Sequence, residues 1–285
     1  IVEAICDKSQ EAILNVKKKY KIKNCYRDYK ELINQHKNEI ICIATRTNEK
    51  LNIVKYAKEK GVNYFHIEKP LCNSTSDLIN FKKFSKSGLK ITYGAIRRYM
   101  KPYIDAKKLI NSKKLGNLRH IDINFGSGQL YWAHPHSVDL LLFFTNDEMP
   151  KNLQAFFKKV EIKKSKGNFI VKNDPYLESA LFIFRDNITG NINNYGNCDV
   201  EIHCENGTIL VEGDGARLVI KKKIRNHPYN YKTKTIQYDD YYPQGTFKPL
   251  KILSELIKNK TSSYNMNHIF IGQQILFALI ASHIN

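Results

Sequence analysis

Several common sequence signals are missing from this chain of 285 residues. No apolar run approaches the roughly 18–20 residues that cross a bilayer, so we expect no membrane partner. The six cysteines form no Cys-x-x-Cys pair, which predicts reduced thiols, several of them in the core, in a cytoplasmic protein. No Gly-x-Gly-x-x-Gly turn occurs, so the sequence shows no loop of the kind that cradles a pyrophosphate.

Acidic residues are also scarce. The chain has 27 Asp and Glu but 46 Lys and Arg, which gives a formal net charge of +19. The lysines are scattered through every segment. Short runs such as 17–19 and 221–223 have no interleaved aromatic residues on which bases could stack. We therefore expect no nucleic-acid partner, and instead a positive field that attracts anionic small molecules.

The first third of the chain alternates between strand and helix patterns. Consecutive apolar residues in the strand-like segments indicate burial on both faces of a parallel sheet. This alternation predicts a Rossmann-like α/β domain over residues 1–96, with right-handed crossovers. The predicted strands cover residues 1–7, 40–44, 62–67 and 91–95.

The pattern changes after residue 96. A helix is predicted from Pro135 to about Phe144, and after Pro150 alternating strands dominate, with hairpins at 186–187 and 205–207. Two helices, 247–258 and 267–283, close the chain. The sequence predicts a second, α+β domain over residues 97–285 with a large, mostly antiparallel open sheet. Because the closing helices are too few to cover both sheet faces, we expect a homo-oligomer.

Asp7 ends the first visible strand. In a dinucleotide-binding fold, an acidic residue there accepts hydrogen bonds from the adenosine ribose and favours NAD over NADP. The alternative is an Asp that satisfies backbone donors at a helix N-terminus. A Gly-rich turn should lie roughly 20 residues before such an Asp. We therefore expect about 30 residues, holding the first strand and that turn, to precede Ile1.

Lys69 follows a buried strand and precedes Pro70, which makes its backbone stiff and extended. Ligands bind at the carboxyl ends of strands in such sheets. A partly buried lysine beside a nicotinamide ring would suit acid–base work. The alternative is a surface lysine paired with Glu68.

His136 is predicted in the first turn of a helix, where the helix dipole favours a neutral imidazole. That form could act as a base or hydrogen-bond donor toward a substrate hydroxyl. His134, His136 and Asp139 could also suggest a metal site, but the two histidines lack helical ligand spacing, and we predict no metal. Capping and packing roles for both histidines are the structural alternative.

Four short motifs recur in a fixed order along the chain: residues 68–70 after 61–62, residues 93–99, residues 114–117 and residues 136–140. Taken together, they resemble the Gfo/Idh/MocA family, the glucose–fructose oxidoreductase and inositol dehydrogenase-like proteins. The resemblance covers nearly the whole chain and implies a Rossmann domain followed by an open sheet that often forms the oligomer interface. It also implies bound NAD, with NADP possible, and hydride transfer at a sugar, cyclitol or nucleotide-sugar hydroxyl or carbonyl.

The resemblance also implies roles for individual residues. Lys69 and His136 would be catalytic. Asp7, Thr45, Glu68, Lys69 and Arg98 would contact the cofactor, and Lys69, Trp132, His134 and His136 would contact the substrate.

Three positions depart from the family pattern. Trp132 stands where many members carry an Asp, Arg46 replaces a proline after Thr45, and Lys50 replaces a common histidine. His134 could substitute for the missing Asp, or Trp132 could stack on a sugar face. A noncatalytic nucleotide-binding or regulatory protein of the same fold is the alternative function, together with reduction of a related carbonyl or imine.

Overall fold

The computed structural model describes residues 2–36, 40–165, 168–239, 242–258 and 264–284. The chain forms two compact units: Ile1–Thr92 with Ile252–Tyr264, and Tyr93–Lys251 with Asn265–Asn285. The sequence prediction ended the first domain at residue 96. It did not assign residues 252–264 to that domain, as the structure does. A local sequence pattern does not indicate on which unit a late helical segment packs.

The first unit alternates strictly between strands and helices, as predicted. Strands β1 and β2 form a parallel pair, and β3, β4 and β5 form a separate three-stranded sheet in which β3 and β4 are parallel. The elements are β1 Ala4–Cys6, α1 Gln10–Tyr20, β2 Asn24–Tyr26, α2 Tyr29–Gln35, β3 Ile40–Ile43, α3 Thr47–Glu59, β4 Tyr64–Ile67, α4 Thr75–Lys86 and β5 Lys90–Tyr93.

Side-chain caps begin several of these helices. Ser9 Oγ accepts a hydrogen bond from the Ala12 N–H at 3.2 Å, and Ser74 Oγ accepts one from the Asp77 N–H at 3.1 Å. Each cap satisfies a backbone donor that has no partner inside the helix. The two serines therefore fix where α1 and α4 begin.

The expected burial of the cysteines is only partly correct. All six are free, but Cys42 is exposed and Cys6 is half-buried, whereas Cys72 is buried. In the described residues β3 pairs only with β4. One edge of β3 therefore remains open, and an apolar run alone does not tell an edge strand from a central one.

The second unit contains a nine-stranded sheet, confirming the predicted α+β architecture. Its order is β16-β15-β14-β13-β6-β12-β11-β7, and β8 also pairs with β11. The elements after β5 are α5 Lys101–Asn111, β6 Leu118–Asn124, β7 Gly128–Gln129, α6 Pro135–Phe144, β8 Asn152–Phe157, β9 Ile162–Ser165, β10 Asn168–Val171, β11 Tyr176–Ile183, β12 Thr189–Asn193, β13 Asp199–Cys204, β14 Gly207–Glu212, β15 Arg217–Ile224, β16 His227–Gln237, α7 Tyr242–Ile257 and α8 Asn267–Ile284. The residues of α7 from Ile252 onward belong to the first unit.

Most strand pairs of this sheet are antiparallel, and β6 with β12 is a parallel pair. One sheet face is buried, with Ile121, Ile123 and Ile202 inaccessible to solvent. Apolar side chains also lie exposed on the sheet, among them Phe156 and Leu181. The predicted homo-oligomer remains a prediction, and such side chains are where we expect a second copy to pack.

The hairpin of β9 and β10 is separate from the nine-stranded sheet. The short strands β2 and β7 were not predicted, because two or three residues carry too little periodicity. None of the described helices combines the length and apolar character needed to cross a bilayer.

Candidate active site

Lys69 lies just beyond the carboxyl end of β4, whose residues Phe65, His66 and Ile67 are buried. The Glu68 N–H donates to the Ile43 carbonyl at 2.9 Å and extends the pairing of β4 with β3. Lys69 itself is half-buried, and its bond to Pro70 is cis. The lysine is thus attached to a rigid strand at the edge where ligands bind in such sheets.

Lys50, which the sequence marked only as a departure from the family pattern, contacts the backbone on both sides of Lys69. It lies on α3 with only 1% of its surface exposed. Its ammonium donates hydrogen bonds to the backbone carbonyls of Glu68 and Pro70, the latter at 2.6 Å. A signal was available, since Lys50 precedes the buried residues Val54 and Ala57 by four and seven positions and so shares their face of the helix.

The two other residues predicted near this strand have local partners. Thr45 is exposed, and its hydroxyl donates to the Arg46 carbonyl at 3.4 Å. The Glu68 carboxylate lies 4.0 Å from His66 Nε2. Burial lowers the pKa of His66 to about 4, so this imidazole is neutral near pH 7. His66 Nδ1 lies 3.0 Å from the Thr92 hydroxyl.

Asp7 directly follows β1 and is exposed. Its Oδ1 accepts a hydrogen bond from the Ser9 N–H at 2.7 Å, while its own N–H donates to the Tyr26 carbonyl at 3.2 Å. The side chain therefore organises the turn into α1, as the structural alternative expected. One carboxylate oxygen in a single hydrogen bond still leaves acceptor capacity for a ribose hydroxyl.

His136 lies in the first turn of α6, which begins at Pro135 and ends at Phe144 as predicted. Its side chain is half-buried, whereas the side chain of His134 is completely buried. His134 Nδ1 lies 3.1 Å from the Ser137 hydroxyl. Burial lowers the pKa of His134 to about 4, although a hydrogen bond with the Gly128 backbone raises it. His134 is thus a neutral packing residue, and His136 is the more accessible of the two.

Gly128 allows the loop before α6 to pack closely on β7. A Cβ at this position would lie 2.7 Å from the Ala133 Cβ and 3.3 Å from His134 Nε2. A larger residue would push His134 and the start of α6 away, so the absence of a side chain at Gly128 helps to place His136.

Trp132 lies on the same loop, with 71% of its surface exposed. Both carboxylate oxygens of Asp174 hold the loop, since they accept hydrogen bonds from the N–H groups of Tyr131 and Trp132 at 2.8 and 3.0 Å. Asp174 also lines a cavity of about 460 Å³ together with Gln129 and Tyr176. A fixed backbone with an exposed indole suits stacking on a ligand ring.

Arg98, predicted to contact the cofactor, instead forms a buried ion-pair network. Its guanidinium donates to both carboxylate oxygens of Asp139 at 2.9 Å and to Asp147 at 3.0 Å, and it lies over the Phe143 ring. Burial alone would lower the pKa of Arg98, but the two carboxylates outweigh it and raise that pKa. Since Asp139 follows His136 by three residues on α6, the network anchors the helix that carries His136.

Comparison with known proteins agrees with this architecture. Residues 1–93 match the model of an oxidoreductase family with an NAD-binding Rossmann fold, GFO_IDH_MocA. The first third of the chain is thus similar to the NAD-binding domain of the Gfo/Idh/MocA family. Inositol 2-dehydrogenase of Salmonella typhimurium is 28% identical over 175 residues, which cover 55% of this chain and 50% of the relative. The chain therefore spans about half the length of the curated relatives it matches.

Solved structures share the fold at low sequence identity. Levoglucosan dehydrogenase, solved with NADH and levoglucosan, superposes with a TM-score of 0.79 at 14% identity, over 99% of this chain and 88% of that one. The transcriptional regulator Gal80p from Kluyveromyces lactis superposes with a TM-score of 0.75 at 15% identity, over 99% and 82%. The same fold thus occurs in a dehydrogenase and in a regulator.

Proposed function

We propose that this protein is an NAD(P)-dependent oxidoreductase that acts on a hydroxyl or carbonyl of a sugar, cyclitol or nucleotide sugar. The observation that carries the proposal is Lys69, a half-buried amine at the carboxyl end of β4 in a unit of the NAD-binding family. The inositol 2-dehydrogenase relative supports a polyol-like substrate. The proposal includes a cytoplasmic homo-oligomer with a small-molecule substrate.

The residues present fit parts of a dinucleotide. Asp7 would hold the adenosine ribose, and Lys69 would lie at the nicotinamide end. The 285 residues contain no Gly-rich turn for the pyrophosphate. When bound, the cofactor supplies the hydride acceptor. Lys69 would accept the hydroxyl proton of the substrate, and His136, in the first turn of α6, would orient the substrate oxygen or share its proton.

A substrate screen tests the proposal. The protein is incubated with NAD or NADP and a panel of cyclitols, aldoses and nucleotide sugars, and reduced nicotinamide is followed by its absorbance. We expect turnover with at least one polyol, and turnover at least about a hundredfold slower with the Lys69→Met variant. Absence of turnover with the whole panel in both reaction directions would contradict the proposal.

Asp7 provides a prediction about cofactor preference. We expect the protein to bind NAD more tightly than NADP, because the Asp7 carboxylate repels a 2′-phosphate. Asp7→Ala should lower the ratio of the Kd for NADP to the Kd for NAD by about tenfold, because it removes one hydrogen-bonded charge. Calorimetry with both cofactors measures it.

Asp28→Ala is the matched control, because Asp28 also follows a strand and accepts a hydrogen bond from the N–H two residues later, at 2.9 Å. It should weaken a helix start without changing cofactor preference. Equal binding of NAD and NADP by the parent protein would show that Asp7 does not contact the ribose.

Trp132 provides a prediction about the substrate. If its exposed indole stacks on a sugar ring, Trp132→Ala should raise the substrate KM by about tenfold, while Trp132→Phe should recover most of the loss. Tyr229→Ala, which removes an aromatic side chain that is 91% exposed on β16, is the control. An unchanged KM in Trp132→Ala would exclude stacking at this position.

A second candidate function is a noncatalytic regulator. It is favoured by Trp132, which stands where many members carry an acidic residue, and by the shared fold of the transcriptional regulator Gal80p. In that case the protein would bind a dinucleotide without turnover of any substrate in the screen. Dinucleotide binding together with turnover would favour the enzyme.

A further inference from the structure

Strand β16 is the outermost strand of the nine-stranded sheet, and in the described part of the chain it pairs only with β15. The pairing is regular from Arg217 opposite Gln237 to Lys223 opposite Tyr231. Residues 231–237 therefore present a row of unpaired backbone N–H and C=O groups along an open edge about 24 Å long. Such an edge is a template to which a further strand can add.

The edge is accessible from both faces of the sheet, because residues 231–235 are all exposed. Successive side chains of a strand point to opposite faces. Lys232 and Lys234 therefore lie on one face, and Tyr231, Thr233 and Thr235 lie on the other. One face of the edge is basic, while the other carries aromatic and β-branched side chains that suit contact with a neighbouring strand.

Positive charge in this part of the sheet is not balanced by nearby carboxylates. Residues 218–238 contain six Lys or Arg and no Asp or Glu. Lys222 of β15 lies directly opposite Lys232 of β16, and like charges in this arrangement destabilise a sheet. Among the described residues, no ion pair involves Lys222, Lys232 or Lys234. A carboxylate placed beside these lysines would relieve their repulsion.

Lysines on an edge strand can serve only to prevent edge-to-edge pairing. They do so here against a second copy, because antiparallel pairing centred on Thr233 would place Lys232 opposite Lys234 at two positions. Blocking alone does not account for Lys222, since β15 is not an edge strand. The same three lysines would attract a strand with carboxylates at alternate positions. The edge thus rejects its own copy and favours an acidic strand.

We propose that the open edge of β16 is a docking site for an extended acidic segment of a partner protein, which adds to the sheet as a further strand. The backbone of residues 231–237 supplies the hydrogen bonds. Lys232 and Lys234, with Lys222 on the neighbouring strand, select carboxylates at alternate positions of the partner. The interaction does not depend on the proposed catalytic function.

The experiment uses a fluorescent seven-residue peptide that alternates glutamate with valine, and binding is followed by fluorescence anisotropy at low salt. We expect saturable binding, together with slower amide hydrogen exchange of residues 229–237 in the complex. Lys232→Glu combined with Lys234→Glu should raise the Kd at least about tenfold. The same double variant should bind a peptide that has lysine in place of glutamate, which the parent protein should not bind.

Three controls separate strand addition from attraction by charge alone. Lys17→Glu combined with Lys18→Glu makes the same change in net charge at two exposed positions of α1, and it should leave the Kd unchanged. Lys232→Arg combined with Lys234→Arg keeps the charge and should bind as the parent does. A glutamate–valine peptide that is N-methylated at every residue keeps the carboxylates but loses its backbone donors, and it should bind at least about tenfold more weakly.

Several results would overturn the inference. Equal weakening by the α1 variant would show that net charge alone attracts the peptide. Undiminished binding of the N-methylated peptide, or unchanged hydrogen exchange of residues 229–237, would show that no strand is added. Binding of a short thymidine oligonucleotide, lost in the Lys232→Glu and Lys234→Glu double variant, together with no binding of the acidic peptide, would make this edge a nucleic-acid site instead.

Discussion

Lys69→Met should lower kcat on the true substrate by about 10²–10⁴-fold, the usual contribution of a positioned acid–base group. The substitution keeps much of the stem length of the lysine and removes the ammonium, so cofactor affinity should change much less. Steady-state kinetics, together with calorimetry for the cofactor, measures both effects. Lys86→Met, at the exposed end of α4, is the control and should retain full activity.

His136→Ala should reduce turnover by a similar factor if the two residues serve one proton relay. The double variant should then lose less than the product of the two single effects, because removing either member already breaks the relay. Near-normal turnover of Lys69→Met would end the relay hypothesis and would mean that another group transfers the proton. Strictly multiplicative effects would mean that the two residues act independently.

Arg98→Met should lower the free energy of unfolding by about 3–5 kcal/mol, because it leaves the buried carboxylate of Asp139 without its cation. Only 9% of the Arg98 surface and 4% of the Asp139 surface are exposed. The midpoint of thermal unfolding should fall by about 10 °C. Scanning calorimetry measures it.

Two further variants test whether an unpaired buried charge causes the loss of stability in Arg98→Met. Arg185→Met removes one partner of an exposed ion pair with Glu148, and it should cost less than about 1 kcal/mol. Adding Asp139→Leu to Arg98→Met should restore part of the lost stability, because no buried charge is then left unpaired. If Arg98→Met instead weakens cofactor binding at unchanged stability, Arg98 contacts the cofactor as the family resemblance implied.

The sequence by itself determined the classes of element and most of their positions. Apolar runs separated by helical patterns predicted the alternation of the first unit, since consecutive apolar residues and a 3.6-residue period are local features. Pro135 predicted the start of α6, because its fixed φ suits the first helical position. Alternation and turn residues predicted the long strands of the second unit. Lys69 and His136 were found in the same way, from the strand end and helix start that carry them.

Only the tertiary structure decided what surrounds these residues. Lys50, Glu68 and Pro70 meet because α3 packs beside the end of β4, and residues 18 and 20 positions apart leave no joint pattern in the sequence. The family resemblance implied that Arg98 contacts the cofactor. In the structure its guanidinium instead binds Asp139 and Asp147, which lie 41 and 49 residues further along the chain. From the sequence alone, Lys50 and Arg98 would be expected at the surface, because burial of a charge depends on partners that only folding brings together.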